Sequence, residues 1–435
     1  MNNNELREAQ GRLTVFLESI FPLLGRQERQ HWGSFYVQGL LLEGGRKTAS
    51  HMAKAYGGNM QALQQLVGQS PWNPINVRKE LAKKMVAVAN FRAAYILDDT
   101  GFPKKGTQSV GVARQYTGTL GKVANCQIGV SLHYATDDGC FPLDFQLYLP
   151  KEWIEDTERR AKAGIPEEIE FKHKWEIGLE MIDRAVAWTG KRIVVADAGY
   201  GAAGEFRKAL VARELAYLVG IKEDMGIWRE PVDTSPPAYQ GRGRPRKRHP
   251  DWPPPESVHD VAVSLPAESW TEVCWRVGTK GPLKSRFTAF LVQPSHGHRE
   301  GKVMENAQWL LIEWPLGAKD PEKYWLSNLP EDTKLTELVY WAKLRRQVEQ
   351  NYQELKDELG LDHYEGRSWL GWHHHVTLTM IAFDFLILEG FRVKKNLWVW
   401  LDPPTSETGN PVDSPGPPWL LSDVRPKDTS TNLTK

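Results

Sequence analysis

Apolar residues recur at helical spacing through the first part of the chain. Leu13, Phe16, Leu17 and Ile20 share one face and Leu63, Leu66 and Val67 another, so the pattern predicts an α-helical region over about residues 5–90. From Ala93 the period changes. Residues 94–97 form a short apolar run that ends in Asp98-Asp99, and 127–134 and 141–149 follow with β-rich composition, which predicts three consecutive antiparallel strands. A helical pattern over 175–188 leads into the apolar strand 192–196. That strand stops at Asp197 and runs into Ala198-Gly-Tyr-Gly201 and another helix, and a strand at 216–221 completes a mixed α/β sheet. Residues 228–256, rich in Pro, Gly and Arg, read as a loop. A second β-rich stretch covers 258–265, 270–277, 287–292 and 309–313. Beyond Pro330 the helical pattern returns, with Asp332 or Thr333 as the expected N-cap and Gly360 as the expected stop.

The apolar run 376–391 is too short to cross a membrane and contains Asp384, so it predicts a buried helix. The Pro/Ser/Thr-rich tail from Asp402 to Lys435 predicts disorder. Across 435 residues, 55 Lys and Arg stand against 54 Asp and Glu, which excludes an overall polycation and requires any nucleic-acid footprint to be local. At 41% hydrophobic and 25% charged residues the chain is an ordinary globular one, with 18 Trp as its excess. Cys126, Cys140 and Cys274 form no C-x-x-C, which argues against a disulfide framework or zinc finger and fits a reducing cytoplasm. Glu5, Arg7, Glu8 and Glu18 leave no legible secretory signal.

Acids stand at strand ends twice, at Asp98-Asp99 and at Asp197, and ends of strands in open α/β sheets are where sites form. A third acid follows from helical geometry. Along 335–359 the apolar stripe is Trp341, Leu344, Val348, Tyr352, Leu355 and Leu359, which leaves Arg345, Glu349 and Lys356 on one adjacent face. Three convergent carboxylates suit Mg²⁺, a hard cation with oxygen ligands. Two such ions about 3.5–4 Å apart activate an attacking oxygen and stabilise a leaving one in phosphoryl transfer. The plainer alternative is that the aspartates cap turns and that Glu349 belongs to a solvated ion-pair face. Elsewhere, 241–249 packs Arg242, Arg244, Arg246, Lys247 and Arg248 around Arg-Gly-Arg-Pro. This resembles the AT-hook, whose arginines enter a narrow A·T minor groove, against the alternative of solvated linker charge. Lys104, Lys105, Arg114 and Lys122 follow the first acid in turn-rich sequence, as candidate phosphate contacts. His373, His374 and His375 occupy consecutive helix positions and cannot all face one ion, so they read as surface or capping histidines, with His375 nearest the active face.

The strings Leu97-Asp-Asp-Thr-Gly-Phe-Pro-Lys-Lys-Gly106, Val110-Gly-Val-Ala-Arg-Gln-Tyr-Thr-Gly118 with Asn125-Cys-Gln127, Val195-Ala-Asp-Ala-Gly-Tyr-Gly201 and the segment 345–367 together resemble the DDE transposases of bacterial insertion sequences. The resemblance is to the cut-and-paste branch with a β-rich insertion between the second and third acids. It implies an α/β fold, an RNase H-like mixed-sheet catalytic core interrupted by that insertion and preceded by an α-helical domain. The implied division is an N-terminal DNA-binding domain (1–90), the first part of the core (91–227), the basic loop and insertion (228–328), the C-terminal core helices (329–395) and the tail (396–435). Asp98, Asp197 and Glu349 fill the roles of catalytic and metal-binding acids in order. Asp98 is preferred because the family tends to place Thr two residues after the acid, here Thr100, and Asp99 stays as the alternative. The family's Tyr-x2-Arg-x3-Glu-x6-Lys pattern is matched by Arg345, Glu349 and Lys356, which the resemblance makes DNA contacts. Its Tyr position is Ala342, and Tyr340 lies two residues too early. In hairpin-forming relatives an aromatic near Trp325 stacks on a flipped base, whereas on its own Trp325 reads as a core residue. The implied activity is Mg²⁺-dependent hydrolysis at terminal inverted repeats and strand transfer into target DNA. It uses two Mg²⁺, replaceable by Mn²⁺, in a homodimer on DNA within the bacterial cytoplasm and nucleoid, with no membrane partner. The rivals are a catalytically silent DNA-binding protein and an RNase H-like nuclease without strand transfer.

Overall fold

The structure, a computed structural model, describes residues 3–89, 92–232, 241, 253–278, 281–295 and 306–401. The basic cluster Arg242–Arg248 and the tail from Asp402 lie outside the described residues. Five helices open the chain, α1 (Asn3–Glu18), α2 (Gln27–Leu40), α3 (Ala49–Tyr56), α4 (Met60–Gly68) and α5 (Pro74–Val86). Four strands follow: β1 (Ala94–Pro103), β2 (Ala113–Thr117), β3 (Lys122–Ala135) and β4 (Cys140–Tyr148). Helices α6 (Lys151–Glu155), α7 (Thr157–Ala163) and α8 (Lys174–Thr189) lead to β5 (Ile193–Ala196), α9 (Ala198–Gly201), α10 (Gly204–Ala212) and β6 (Tyr217–Ile221). The next stretch holds β7 (Gly226–Trp228), β8 (Glu256–Ser257), α11 (Val258–Ser264), β9 (Thr271–Gly278), β10 (Gly281–Pro294), β11 (Gln308–Trp314) and β12 (Lys323–Ser327). Helices α12 (Leu335–Leu344), α13 (Arg346–Asp357) and α14 (Trp369–Leu401) close the described chain.

The sheet runs in the order β2-β3-β1-β5-β6-β12-β11-β10-β7-β8, with β4 on β3 and β9 on β10. Strands β1, β3 and β4 pair antiparallel, as the apolar runs predict, while β5 joins β1 and β6 in parallel. This mixed sheet flanked by helices is the RNase H-like α/β arrangement that the resemblance implied. The strands between β6 and α12 extend the same sheet, because β12 pairs with β6. Alternation along β1 serves two cores. Tyr95 and Leu97 join a large cluster with α1–α5, α8 and α14, while Ala94 and Ile96 join a second one under α12 and α13. The opening helices therefore share their core with the sheet.

Several expectations change. Residues 258–264 are helix α11, not strand: Ser257 Oγ accepts the Asp260 N–H, and Val258, Val261 and Ala262 are buried at i, i+3 and i+4 spacing. Strand β2 arises in the stretch read as turn-rich, its hydrogen bonds supplied by β3. The N-cap of α12 is Lys334 instead of Asp332 or Thr333. Gly360 does adopt a left-handed φ of 66° just past α13. The three histidines are buried, not at the surface. The His373 Nδ1–H donates to Trp369 O, His374 lies between the carbonyls of Val67 and Trp72, and His375 Nδ1 accepts from the Tyr36 hydroxyl. Burial pushes their pKa values down, to about 3 for His373 and about 4 for the other two.

Helix α14 packs through the middle of the large core, so 376–391 is buried as expected, and among the described residues no helix is long and apolar enough to cross a membrane. Asp384 is fully buried there, and neither carboxyl oxygen finds a partner among the described residues. Burial drives its pKa well above the ordinary carboxyl value. A raised folded-state pKa means that stability is lost as pH rises above the unfolded-state value. Asp384→Asn should therefore match wild type near pH 4 and exceed it by about 1–3 kcal/mol near neutrality. Urea unfolding across that range checks this, and a gap that closes with rising pH refutes it.

Candidate active site

Strands β1 and β5 are parallel neighbours paired as far as Leu97 opposite Ala196, and in each the next residue is an acid. Register alone therefore sets Asp98 and Asp197 at the same end of adjacent strands. Asp98 points to the face of Ala94 and Ile96, towards α12 and α13; Asp99 points to the opposite face. Its carboxylate accepts from Lys174 Nζ at 3.0 Å and from the Tyr200 hydroxyl at 3.3 Å.

Asp197 serves two purposes. Its Oδ1 caps α9, accepting the N–H groups of Gly199 at 2.9 Å and Tyr200 at 3.3 Å, which leaves Oδ2 facing the cleft. The glycines of this turn hold it against β6: a methyl group on Gly201 would collide with the carbonyl of Gly220.

The third acid arrives on α13. Val348 is fully buried in the second core, and Glu349, one position on, is 65% exposed at the cleft. The helix is interrupted for one residue at Arg345, between α12 and α13. Its guanidinium stands among all three acids: Nη2 lies 2.7 Å from Asp98 Oδ2 and 3.7 Å from Asp197 Oδ2, and Nη1 lies 3.5 Å from Glu349 Oε1. Burial disfavours the Arg345 charge, but Asp98, Asp197 and Glu349 carry its pKa above the ordinary value. Burial likewise pushes the Asp98 carboxyl, 6% exposed, up to about 7 against the pull of Arg345. No three His, Cys, Asp or Glu side chains among the described residues are gathered closely enough to hold a metal ion.

These residues line a cleft of about 870 Å³. Lys356 lines it too, with Nζ donating to Thr100 Oγ1 at 2.7 Å, Gly101 O at 2.9 Å and Thr119 Oγ1 at 3.0 Å, so it ties α13 to β1 and to the β2–β3 hairpin. Arg114 and Lys122 are exposed on that hairpin, and Lys105 is exposed beyond β1. Lys104 is half-buried and donates to the carbonyl of Tyr364 at 2.8 Å. Trp325 is 7% exposed in the second core, on β12, and does not line the cleft.

Sequence reasoning passed over Tyr200, Tyr352 and Lys174. Tyr352 sat in the apolar stripe, yet its hydroxyl bonds Ser131 Oγ and its ring lines the cleft. Burial, then Asp99, Asp98 and Asp197, drives the Tyr200 hydroxyl's pKa well above the ordinary value, so it remains a donor. A tyrosine hydroxyl thus reaches Asp99 from α9, while that of Tyr352 on α13 bonds Ser131; Ala342 is buried in the core and the Arg92 guanidinium lies 4.0 Å from the Tyr340 ring.

The DDE superfamily endonuclease family matches residues 19–282, a span that includes Asp98 and Asp197 and stops before Glu349. The chain is also similar to the "Probable transposase for insertion sequence element IS701" of Microchaete diplosiphon, at 32% identity over 183 residues, 41% of this chain and 45% of that protein. The match thus spans less than half of that relative's length. With two strand-end acids in register inside the matched span and more than half of the chain covered, the protein belongs to the DDE superfamily endonucleases.

Proposed function

We propose that the protein is a DDE-type transposase that binds the terminal inverted repeats of an insertion sequence, hydrolyses the terminal phosphodiester to free a 3′-hydroxyl, and joins that hydroxyl to target DNA. The observation that carries this reading is the convergence of Asp98, Asp197 and Glu349 on one guanidinium. A place where three carboxylates already surround a cation, with oxygen donors only, fits a hard divalent ion. Enzymes of this superfamily use divalent metals. Asp98, Asp197 and Glu349 are the proposed holders of two Mg²⁺, replaceable by Mn²⁺, which supply charge at the attacking and leaving oxygens.

The chain's own residues do the rest. Tyr200 and Lys174 fix Asp99, and Lys356 braces α13 so that Glu349 keeps its place beside the strand ends. Arg345, Lys356, Arg114, Lys122 and Lys105 are the proposed phosphate contacts, together with the basic loop from Arg242 to Arg248. Two DNA ends held in one complex favour a homodimer, and the activity belongs in the cytoplasm, where chromosomal DNA is the partner.

Arg345 and a divalent ion cannot share the same carboxylates, because two cations within about 4 Å repel strongly in a partly buried site. Arg345→Gln should therefore bind Mn²⁺ roughly tenfold or more tighter than wild type in the absence of DNA. Titration followed by electron paramagnetic resonance checks this, and equal affinities would count against a shared site.

The function itself is tested with the DNA that flanks the gene, incubated with the protein and Mg²⁺. A nick that exposes a 3′-hydroxyl, followed by a joined product, supports the proposal. Nicking without joining leaves a nuclease, and binding without nicking leaves a silent DNA-binding protein.

A further inference from the structure

The opening helices contain a surface that the cleft does not use. Helices α2, α3 and α4 pack on one another, and α3 and α4 are joined by the three residues Gly57-Gly58-Asn59. The local chemistry fixes this turn. Gly57 ends α3 with a φ of 69°, which favours glycine, and a methyl on Gly58 would collide with the Phe35 ring on α2. Asn59 then caps α4, its Oδ1 accepting the Ala62 N–H at 3.1 Å. Two short helices in a three-helix unit, joined by a glycine turn, have the form of a helix-turn-helix.

Helix α4 buries Leu63, Leu66 and Val67 against this unit and α14. Its opposite face carries Gln61, Gln64 and Gln65, all exposed, at i, i+3 and i+4. The chain segment that builds this face carries charge of one sign. No Asp or Glu occurs between Glu43 and Glu80, whereas Arg46, Lys54 and Lys79 in that interval are exposed. The unit also abuts the segment that leaves the cleft. His363 Nδ1 accepts the Lys47 N–H at 3.0 Å, Arg46 pairs with Glu365 at 3.3 Å, and Lys104, just after β1, donates to Tyr364 O. One loop, 361–368, thus touches both the start of α3 and the stretch that follows the Asp98 strand.

We propose that α4 is a DNA-reading helix that enters the major groove and recognises bases through Gln61, Gln64 and Gln65, with Lys54 and Arg46 on flanking phosphates. A glutamine amide pairs bidentately with adenine N6 and N7, so the site it reads contains adenines. A helix whose own segment, 44–79, holds exposed Arg and Lys and no acid meets a polyanion with little like-charge repulsion, Glu365 being paired with Arg46, and exposed amides with no charge of their own suit base edges better than phosphates. The proposal rests on the DNA-end-binding reading above and assigns that binding to one helix face.

The test is selection of bound sequences from a pool of random-sequence duplexes by the full-length protein. Wild type is expected to enrich a short motif containing adenines. The double variant Gln64→Ala, Gln65→Ala is expected to lose specificity at one or two of its positions and to bind the wild-type motif roughly tenfold or more weakly, with little change towards the unselected pool. Alanine has the higher helix propensity at these exposed positions, so the variant keeps its fold. Lys54→Ala is expected to weaken selected and unselected duplexes alike and to flatten the salt dependence by about one unit of slope. If wild type enriches a motif and the glutamine variant enriches the same one with equal affinity, the assignment to α4 is overturned while end binding stands. If wild type enriches nothing, the end-binding reading falls and takes this proposal with it.

Discussion

Asp197→Asn and Glu349→Gln are each expected to lower joining of pre-cleaved DNA ends by on the order of 10³-fold, with duplex binding and thermal stability close to wild type. These two acids separate chemistry from folding. Glu349 is 65% and Asp197 39% exposed, and their contacts with Arg345 are long, at 3.5 and 3.7 Å. Exposed pairs of that kind contribute about 0–1 kcal/mol. Asp197→Asn also keeps the side-chain oxygen that caps α9. Asp98 is a poorer subject, since its 2.7 Å bond to Arg345 is buried and its loss would leave the guanidinium without its tightest partner. Strand transfer in Mg²⁺ is the measurement, and wild-type turnover by either variant removes that residue from the site.

The largest expected effect on stability lies away from the cleft. Arg78, on α5, is 1% exposed. It donates to Thr377 Oγ1 at 2.8 Å, to Asp144 Oδ1 at 2.9 Å and to His373 O at 3.1 Å, which joins the opening helices to β4 and α14. Asp144, fully buried, is held on its other oxygen by Arg184 at 2.7 Å. Arg78→Met should lower the unfolding free energy by about 3–5 kcal/mol, because it strands part of a buried carboxylate's charge together with the acceptors Thr377 Oγ1 and His373 O. The double variant Arg78→Met, Asp144→Leu should recover much of that loss, since an apolar pair of similar volume leaves no buried carboxylate and Arg184, 25% exposed, reaches water. Urea denaturation of the four proteins in the cycle checks this, and additive losses would show that the ion pair is not the cause.

The core strands and two of the three acids were legible because apolar runs that stop at an acid leave little freedom. Ala94–Leu97 and Ile193–Ala196 are buried on both faces, and in parallel register their ends must meet. The third acid was legible by helical period, since Val348 and Leu355 fix which face of α13 turns inward. Arg345 was placed beside Glu349 correctly, but one-dimensional spacing could not show that its side chain reaches across to Asp98 and Asp197. Tyr200 and Tyr352 were hidden for a related reason, as a tyrosine that fills a core position and one that donates from it give the same pattern. Helix α11 was misread because valines at 258, 261 and 263 make the composition β-rich, whereas the spacing of the buried Val258, Val261 and Ala262 is helical and Ser257 caps the helix. The buried histidines of α14 were misread because polar residues in a row suggest a surface, whereas here backbone carbonyls from α4, from the segment before α5 and from Gly360 supply their partners.

That the three acids share divalent cations beside a DNA end is tested most directly by anomalous scattering from Mn²⁺ in crystals of the protein bound to a cleaved end. The expected result is an anomalous peak within about 2.0–2.6 Å of carboxylate oxygens of Asp98, Asp197 and Glu349, with the Arg345 guanidinium moved from Asp98 towards a phosphate. A cleaved end bound in the cleft with no such peak, and Arg345 still against Asp98, would contradict it.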